Sequence, residues 1–226
     1  MKVGAVIQAR TGSTRLPAKV LKKMCGKPIL SHVIDRAKAC KLLDEIIIAT
    51  TVNPADDRVV EIAVSEGVKT FRGSETDVLA RYYGAAKENG LDVIVRITSD
   101  NPLLDFEVID RIISKLIEEK ADYSCNNMPP SFPYGLDVEC FTYAALEDAF
   151  LNAVEPRERE HVTPYIREHQ KFRRVNVLNE NDESKLRWTV DTQEDFDYVN
   201  QIYEALYEKN RLFTRVEIME HLKERG

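Results

Sequence analysis

Residues 1–122 alternate short apolar segments with longer segments in which apolar residues recur at helical spacing. The apolar segments predict buried strands over residues 3–7, 45–50, 69–72 and 93–97. The longer segments predict a helix that begins at Pro28 and helices over residues 57–66, 77–88 and 106–120. Strands and helices that alternate in this way form a mostly parallel sheet covered by helices on both faces, so the expected fold class is α/β.

The pattern after residue 122 is less regular. Three prolines make residues 126–134 a loop. Further strands are predicted over residues 136–141, 172–177 and 186–189, and helices over residues 144–153, 159–168, 194–208 and 214–223. No segment has the composition of a linker between domains, so residues 1–226 are expected to form one domain.

The composition narrows the functional class. The chain has 226 residues, a formal net charge of −6 and a pI near 5.4, which argues against a general nucleic-acid-binding protein. No apolar run approaches the roughly 20 residues that span a bilayer, and the N-terminus lacks a signal peptide, so a cytoplasmic protein without membrane partners is expected. The four cysteines lack metal-binding spacing and are expected to be reduced thiols.

A basic loop follows the first predicted strand. Residues 1–27 contain seven basic residues and no acidic one, although the whole chain is acidic. Arg10, Arg15 and Lys19 lie here, with Gly12 and Ser13 between the two arginines. Arginine and lysine bind phosphate oxygens, and glycine allows backbone amides to approach a ligand closely. The loop follows a strand at the edge where open α/β sheets bind ligands, which favours a nucleoside triphosphate site over a merely solvated basic surface.

The motif QARTGSTRLPAKVL at residues 8–21 closely resembles the signature of the sugar-activating cytidylyltransferases, a family that includes the CMP-Kdo and CMP-acylneuraminate synthetases. The spore-coat polysaccharide branch of that family, the SpsF-like proteins, is the most similar. The resemblance covers nearly the whole chain and implies a three-layer α/β/α, Rossmann-like nucleotidyltransferase fold with a mostly parallel mixed sheet. It also implies a nucleotide-binding half at residues 1–122, and a half at residues 123–226 that binds the sugar and supplies a second metal ligand.

Two aspartates follow predicted strands. Asp100 lies in RITSDNPLLD and Asp191 in RWTVDTQEDF. From the residues alone, each is equally well explained as a turn or helix-cap aspartate. The resemblance implies that both bind one Mg²⁺. Neither has an evident neutralising cation nearby in the sequence, so the two carboxylates are expected to repel each other unless a divalent ion lies between them.

The resemblance also assigns substrate contacts. For the nucleotide it implies Gln8, Ala9, Arg10, Gly12, Ser13, Arg15, Lys19, Thr50, Arg72, Asp77 and Arg81. For the sugar it implies Asp137, Glu139, Arg157 and His161, with Arg159 and Arg167 as further cations for an acidic sugar. His161 and His169 lack a third ligand nearby in the sequence, so no zinc site is expected.

Together with the resemblance, these residues predict a Mg²⁺-dependent enzyme that transfers CMP from CTP to a sugar and releases pyrophosphate, in surface polysaccharide biosynthesis. Arg10, Arg15, Lys19, Asp100 and Asp191 would carry catalysis by positioning the substrates and neutralising phosphate charge. A glycosyltransferase that uses a nucleotide sugar and a non-catalytic nucleotide sensor are the alternatives. The family commonly dimerises, which leaves a homodimer open.

Overall fold

The computed structural model describes residues 1–224. Its strands are β1 (Val3–Gln8), β2 (Lys23–Met24), β3 (Lys27–Pro28), β4 (Glu45–Thr51), β5 (Lys69–Gly73), β6 (Val93–Thr98), β7 (Tyr123–Cys125), β8 (Glu139–Thr142) and β9 (Arg174–Asn176). Its α-helices are α1 (Ile29–Lys38), α2 (Asp57–Ser65), α3 (Val78–Glu88), α4 (Phe106–Glu118), α5 (Tyr143–Asn152), α6 (Pro156–His161), α7 (Pro164–Glu168), α8 (Gln193–Leu206) and α9 (Arg215–Lys223).

Seven of these strands form one sheet in the order β5-β4-β1-β6-β8-β7-β9. The first four are parallel to one another, β8 is antiparallel to both β6 and β7, and β9 is parallel to β7. Strand β8 lies beside β6, so the sheet continues without interruption from residues 1–122 into the second half of the chain. The mixed, mostly parallel sheet confirms the predicted fold class.

Each face of the sheet is covered by helices. Along β1, the side chains of Ala5 and Ile7 pack on one face with α1, α2, α4, α8 and α9, whereas Val6 packs on the other face with α3, α5 and α7. This alternation follows from the two-residue period of a strand. The result is the three-layer α/β/α arrangement that the sequence pattern predicted.

The predictions for the first half of the chain agree with the structure to within two residues at most boundaries. Helix α2 ends before Gly67, whose φ of +68° is typical of the glycine that terminates a helix. Three of the four cysteines are buried and all four are free thiols, as expected. No helix within residues 1–224 is long and apolar enough to cross a membrane.

The predictions for the second half contain errors. Residues 186–189 do not form a strand, because only Arg187 makes an isolated bridge, to Tyr134. The helix predicted over residues 159–168 is divided into α6 and α7 at Val162, which adopts φ +72°. Pro164 accounts for the division, since it cannot donate a backbone hydrogen bond and begins the second helix at its first position. The strand predicted over residues 136–141 begins only at Glu139, and strand β7 was not predicted.

Candidate active site

A cleft of about 620 Å³ opens at the carboxyl ends of β1 and β6. The basic loop forms one wall, and the segments that follow β5 and β6 form another. The cleft brings together most of the residues predicted from the sequence: Gln8, Ala9, Arg10, Gly12, Ser13, Arg15, Lys19, Arg81, Asp100, His161 and Asp191. It is also lined by residues that were not predicted, among them Glu75, Thr98 and Glu160.

The basic loop is held by a buried carboxylate that the sequence did not reveal. Asp56 accepts hydrogen bonds from the backbone amide and the hydroxyl of Thr11, at 2.7 and 2.8 Å, and from the Thr51 hydroxyl. Burial favours the neutral acid, but these hydrogen bonds outweigh it and lower the pKa of Asp56. The Ala18 amide donates to the Thr11 carbonyl at 3.0 Å, which closes the loop just before Lys19.

The Lys19 ammonium lies between the two predicted metal ligands. Its Nζ is 2.9 Å from Asp100 Oδ2, 2.9 Å from Asp191 Oδ1 and 2.8 Å from the Val190 carbonyl oxygen. Asp100 and Asp191 therefore converge, as predicted. The expectation that no cation neutralises them is wrong, because Lys19 reaches both carboxylates from 81 and 172 positions away in the sequence.

Two arginines complete the ion cluster. Arg15 Nη2 lies 2.9 Å from Asp191 Oδ1, and Arg187 Nη2 lies 2.8 Å from Asp191 Oδ2. Burial opposes the ionisation of Asp191, but Lys19, Arg187 and Arg15 together lower its pKa. Arg187 also pairs with Asp195. Burial would raise the pKa of Asp195, but the hydrogen bonds that Asp195 accepts from Arg187 and from the Asp191 and Thr192 amides lower it to about 2. Arg187 precedes Asp191 by four residues, so this partner could have been found from the sequence.

The donor set of the cleft is compatible with a divalent ion. Carboxylate oxygens are the protein ligands that Mg²⁺ and Mn²⁺ prefer, and a nucleotide-bound magnesium commonly uses only one or two of them together with phosphate oxygens. Within residues 1–224 no group of three or more His, Cys, Asp and Glu side chains is placed to hold a metal on its own. Asp100 and Asp191 therefore fit an ion that is shared with a phosphorylated ligand.

A second pocket of about 310 Å³ adjoins the cleft. Thr98, Asp100 and His161 line both cavities, so they mark the junction. The remaining lining residues come mostly from the second half of the chain and include Asn127, Tyr134, Asp137, Glu139, Thr163, Arg167 and Thr189. His161 reaches the junction because α6 ends there.

Asp137 and Glu139 both line the second pocket, but their carboxylates differ in hydrogen bonds and ion pairs. Glu139 is buried, and its oxygens accept from Arg96 Nη1 at 2.5 Å, Tyr123 Oη at 2.5 Å and Thr163 Oγ1 at 2.7 Å. The protein itself therefore saturates Glu139, so this residue forms the wall of the pocket and is not a free sugar contact. Burial raises the pKa of Asp137, and within residues 1–224 its carboxylate forms no ion pair.

Gly135 shapes the same wall. Its φ of +112° suits glycine, and a Cβ there would lie 2.6 Å from the Thr189 backbone nitrogen. The Gly135 amide donates to Asp137 Oδ2 at 3.1 Å. The close approach of these two backbone segments explains why a glycine precedes Leu136 in the YGLDVE motif.

Five of the predicted contact residues line neither cavity: Thr50, Arg72, Asp77, Arg157 and Arg159. Thr50 is fully buried in β4. Arg72 lies opposite Thr50 on the edge strand β5, where it donates to the Thr51 and Asn53 carbonyls and pairs with Asp57. Arg157 forms an exposed pair with Glu168. The prediction of a base pocket around Arg72 is therefore not supported by its position.

Asp77 also has a structural partner. It caps α3 by accepting from the Ala80 amide at 2.9 Å, and Arg159 pairs with it through Nε and Nη2. This ion pair ties α6 to the segment that follows β5. The ion pair thus links two segments that line the cleft through the neighbouring residues Thr76 and Glu160.

Known proteins are similar to this chain over most of its length. A family model described as cytidylyltransferase matches residues 5–222. An uncharacterised protein of Methanocaldococcus jannaschii is 46% identical over 199 residues, which are 87% of this chain and 81% of that protein. The spore coat polysaccharide biosynthesis protein SpsF of Bacillus subtilis is 33% identical over 212 residues, which are 90% of this chain and 87% of SpsF.

Solved structures share the fold. A cytidylyltransferase from Leptospira borgpetersenii superposes with a TM-score of 0.95 at 36% identity, covering 100% of this chain and 95% of that one. A CMP:2-keto-3-deoxy-manno-octonic acid synthetase in complex with CTP has a TM-score of 0.68 at 18% identity, covering 91% and 99% of the two chains. These similarities confirm the nucleotidyltransferase fold and the resemblance noted at residues 8–21, and the chain belongs to the cytidylyltransferase family.

Proposed function

We propose that this protein transfers the CMP group of CTP to a hydroxyl of a sugar and releases pyrophosphate, in the synthesis of a surface polysaccharide. One observation carries the proposal. The cleft with the basic loop adjoins a second polar pocket, and the two cavities share Thr98, Asp100 and His161. A triphosphate in the cleft and a sugar in the second pocket would therefore meet at this junction.

The residues divide the work by position. Arg10, Arg15 and Lys19 would bind the triphosphate and neutralise the charge of the departing pyrophosphate. Gln8, Ala9 and Arg81 line the same cleft and would contact the nucleoside in place of Arg72 and Thr50. Asp100 and Asp191 would hold a divalent ion, for which Mg²⁺ is the proposed physiological choice. The ion, when bound, would supply positive charge to the phosphate oxygens.

The reaction balances without a covalent enzyme intermediate. The sugar oxygen forms a bond to the α-phosphorus, and the bond from that phosphorus to the bridging oxygen breaks, so that pyrophosphate leaves. The hydroxyl proton must depart as well. His161 lies at the junction and is not assigned to the ion, so it is the protein group placed to accept this proton.

Arg167 supports an acidic sugar as substrate. It lines the second pocket with about a third of its side chain exposed, and its Nη1 is 3.9 Å from Glu139, whose carboxylate is already paired with Arg96. Its charge can therefore also serve a ligand carboxylate. Arg157, which was predicted for this role, is paired with Glu168 outside both cavities.

A turnover assay tests the proposal. The purified protein is incubated with CTP, Mg²⁺ and each member of a panel of acidic and neutral sugars, and pyrophosphate and CMP-sugar are measured. We expect equal amounts of the two products with at least one sugar, and much less with ATP or GTP. CTP binding without turnover of any sugar would instead indicate a nucleotide sensor. Transfer of a sugar from a nucleotide sugar to an acceptor would indicate a glycosyltransferase.

A further inference from the structure

The environment of Lys19 resembles the coordination shell of a metal ion. Three oxygens surround its ammonium group at 2.8–2.9 Å, one each from Asp100, Val190 and Asp191. The side chain is only 12% exposed, at the start of a short 3-10 helix over Lys19–Leu21. Lys19 is thus held by the two carboxylates that the proposed function assigns to a divalent ion.

The charges of this cluster already balance. Asp100, Asp191 and Asp195 are matched by Lys19, Arg15 and Arg187. Both oxygens of Asp191 are occupied, Oδ1 by Lys19 and Arg15 and Oδ2 by Arg187. The cluster as a whole is therefore neutral before any metal binds. A divalent ion that entered it would find Lys19 between the two carboxylates and would be repelled by the Lys19 ammonium.

We infer that Lys19 takes the place of the divalent ion in the nucleotide-free protein, so that the ion binds only when a triphosphate draws Lys19 away from Asp100 and Asp191. This inference rests on the proposed function, since it concerns the same site. It assigns Lys19 two alternating partners, the carboxylates before substrate binds and the phosphates afterwards. It also sets the order of binding, because the ion enters with the triphosphate or after it.

The surroundings of Lys19 allow the exchange. Its backbone is held by the hydrogen bonds from the Lys19 amide to the Leu16 carbonyl at 3.2 Å and from the Lys22 amide to the Lys19 carbonyl at 3.0 Å, so a change of partner requires rotation of the side chain only. The lysine stem has four rotatable bonds, which makes its ammonium a mobile point charge. Lys19 and Arg15 line the same cleft, so a triphosphate there would offer anionic oxygens to both cations. The negative charge of that ligand would compensate the divalent ion that replaces Lys19.

Binding of Mn²⁺, followed by electron paramagnetic resonance without nucleotide or sugar, tests the inference. In wild-type protein we expect weak binding, because Lys19 occupies the site. In Lys19→Met, which keeps the length of the side chain and removes its charge, we expect Mn²⁺ to bind about tenfold more tightly or better. Lys23→Met is the matched control, since Lys23 is exposed on β2 and does not line the cleft. It should bind Mn²⁺ as the wild type does.

Two further variants locate the effect. Asp100→Asn added to Lys19→Met should abolish the gain, which places the ion at the carboxylates. Lys19→Gln, which retains a hydrogen-bond donor, provides a second test if Lys19→Met does not fold. Unchanged or weaker Mn²⁺ binding in a folded Lys19 variant would overturn the inference.

The wild type provides a test that needs no substitution. A non-hydrolysable CTP analogue should raise the affinity of the wild-type protein for Mn²⁺ by about tenfold or more. It should have a much smaller effect on Lys19→Met, where nothing needs to be displaced. Failure of the proposed function would be seen separately, as absent pyrophosphate release with every sugar, while the nucleotide-free Mn²⁺ comparison would still report on Lys19.

Discussion

The molecule contains two ion clusters, one around Asp191 and one around Glu139. Both combine a carboxylate with cationic side chains, but they differ in how firmly the partners of the carboxylate are held. Glu139 is 4% exposed and is paired with Arg96, which lies directly opposite it on the neighbouring strand. Asp191 does not follow a strand, and its partners Arg15 and Lys19 come from the basic loop that forms one wall of the cleft. The carboxylate of Glu139 is thus held by groups on rigid strands, and that of Asp191 by long side chains that can move.

This difference separates a structural from an exchangeable ion cluster. The Glu139 carboxylate is buried, but Arg96 and the hydroxyls of Tyr123 and Thr163 outweigh the effect of burial and lower its pKa. Removal of Arg96 would leave the buried Glu139 carboxylate without its close ion-pair partner. In the Asp191 cluster the cleft admits water and ligands, so a lost partner can be replaced. We therefore expect substitution of Glu139 to affect chiefly stability, and substitution of Asp100 or Asp191 to affect chiefly turnover.

The largest effect is expected for Asp100→Asn. Turnover of CTP should fall by about 100-fold or more, because the variant loses a charged ligand that neutralises the reacting phosphates, while the free energy of unfolding should change little. Asp191→Asn should behave in the same way. The double variant should lose little more than either single one, since the two carboxylates act as a unit.

Steady-state pyrophosphate release and chemical denaturation of the same preparations measure the two quantities. Asp148→Asn is the control. Asp148 lies on α5 and pairs with Lys171, and neither residue lines either cavity. Near-normal turnover of Asp100→Asn would return Asp100 to the role of a turn residue. Losses that multiply in the double variant would contradict a shared ion.

A smaller effect, on stability, is expected for Glu139→Gln. This change preserves the shape of the side chain but leaves Arg96 buried beside a neutral group, which should cost about 3 kcal/mol in the free energy of unfolding. Glu168→Gln makes the same chemical change in the exposed pair with Arg157 and should alter stability little. Equal losses in the two variants, measured by urea denaturation, would mean that burial does not distinguish the clusters.

The smallest effect is a dependence of stability on pH that arises from the Asp191 cluster. The pKa of Asp195 falls from an ordinary value of 3.8 to about 2 in the folded protein. A lowered folded-state pKa contributes stability above the unfolded value and loses it as the pH falls. Asp195 should therefore contribute up to about 2 kcal/mol above pH ~4, and this contribution should disappear between pH ~4 and ~2.

Urea denaturation of the wild type and Asp195→Asn across this range measures the contribution. The difference in unfolding free energy between the two proteins should shrink as the pH falls. Asp197→Asn, on the exposed side of the same helix, should show no such trend. A difference that stays constant with pH would mean that Asp195 acts only through its helix-capping hydrogen bonds.

Much of the fold and part of the site follow from local sequence patterns. The strands β1, β4, β5 and β6 were predictable because a buried parallel strand is a short apolar run between turn residues, a signal that needs no knowledge of distant residues. The basic loop was predictable for the same reason, since its charges and its glycine are contiguous. Asp100 and Asp191 were predictable as candidates because each comes after an apolar run and before a helix.

The errors fall where distant residues decide the structure. Residues 186–189 have the composition of a strand, yet their backbone hydrogen bonds go to Glu183 and Tyr134, and only one isolated bridge forms. Arg72 was predicted to contact the nucleotide, but on the edge strand β5 it pairs with Asp57. No sequence pattern identified Asp56 as the carboxylate that holds the basic loop, because its partners Thr11 and Thr51 come from two different segments of the chain.

The sequence by itself therefore determined the α/β class, the family and the position of the basic loop, because each depends on a contiguous pattern of residues. Only the tertiary structure decided which charges meet. Lys19 lies between Asp100 and Asp191, Arg96 saturates Glu139, and Arg159 pairs with Asp77. Coulombic energy and hydrogen bonding depend on distance and burial, and neither quantity is defined until the sheet has brought residues together that lie 43 to 172 positions apart in the chain.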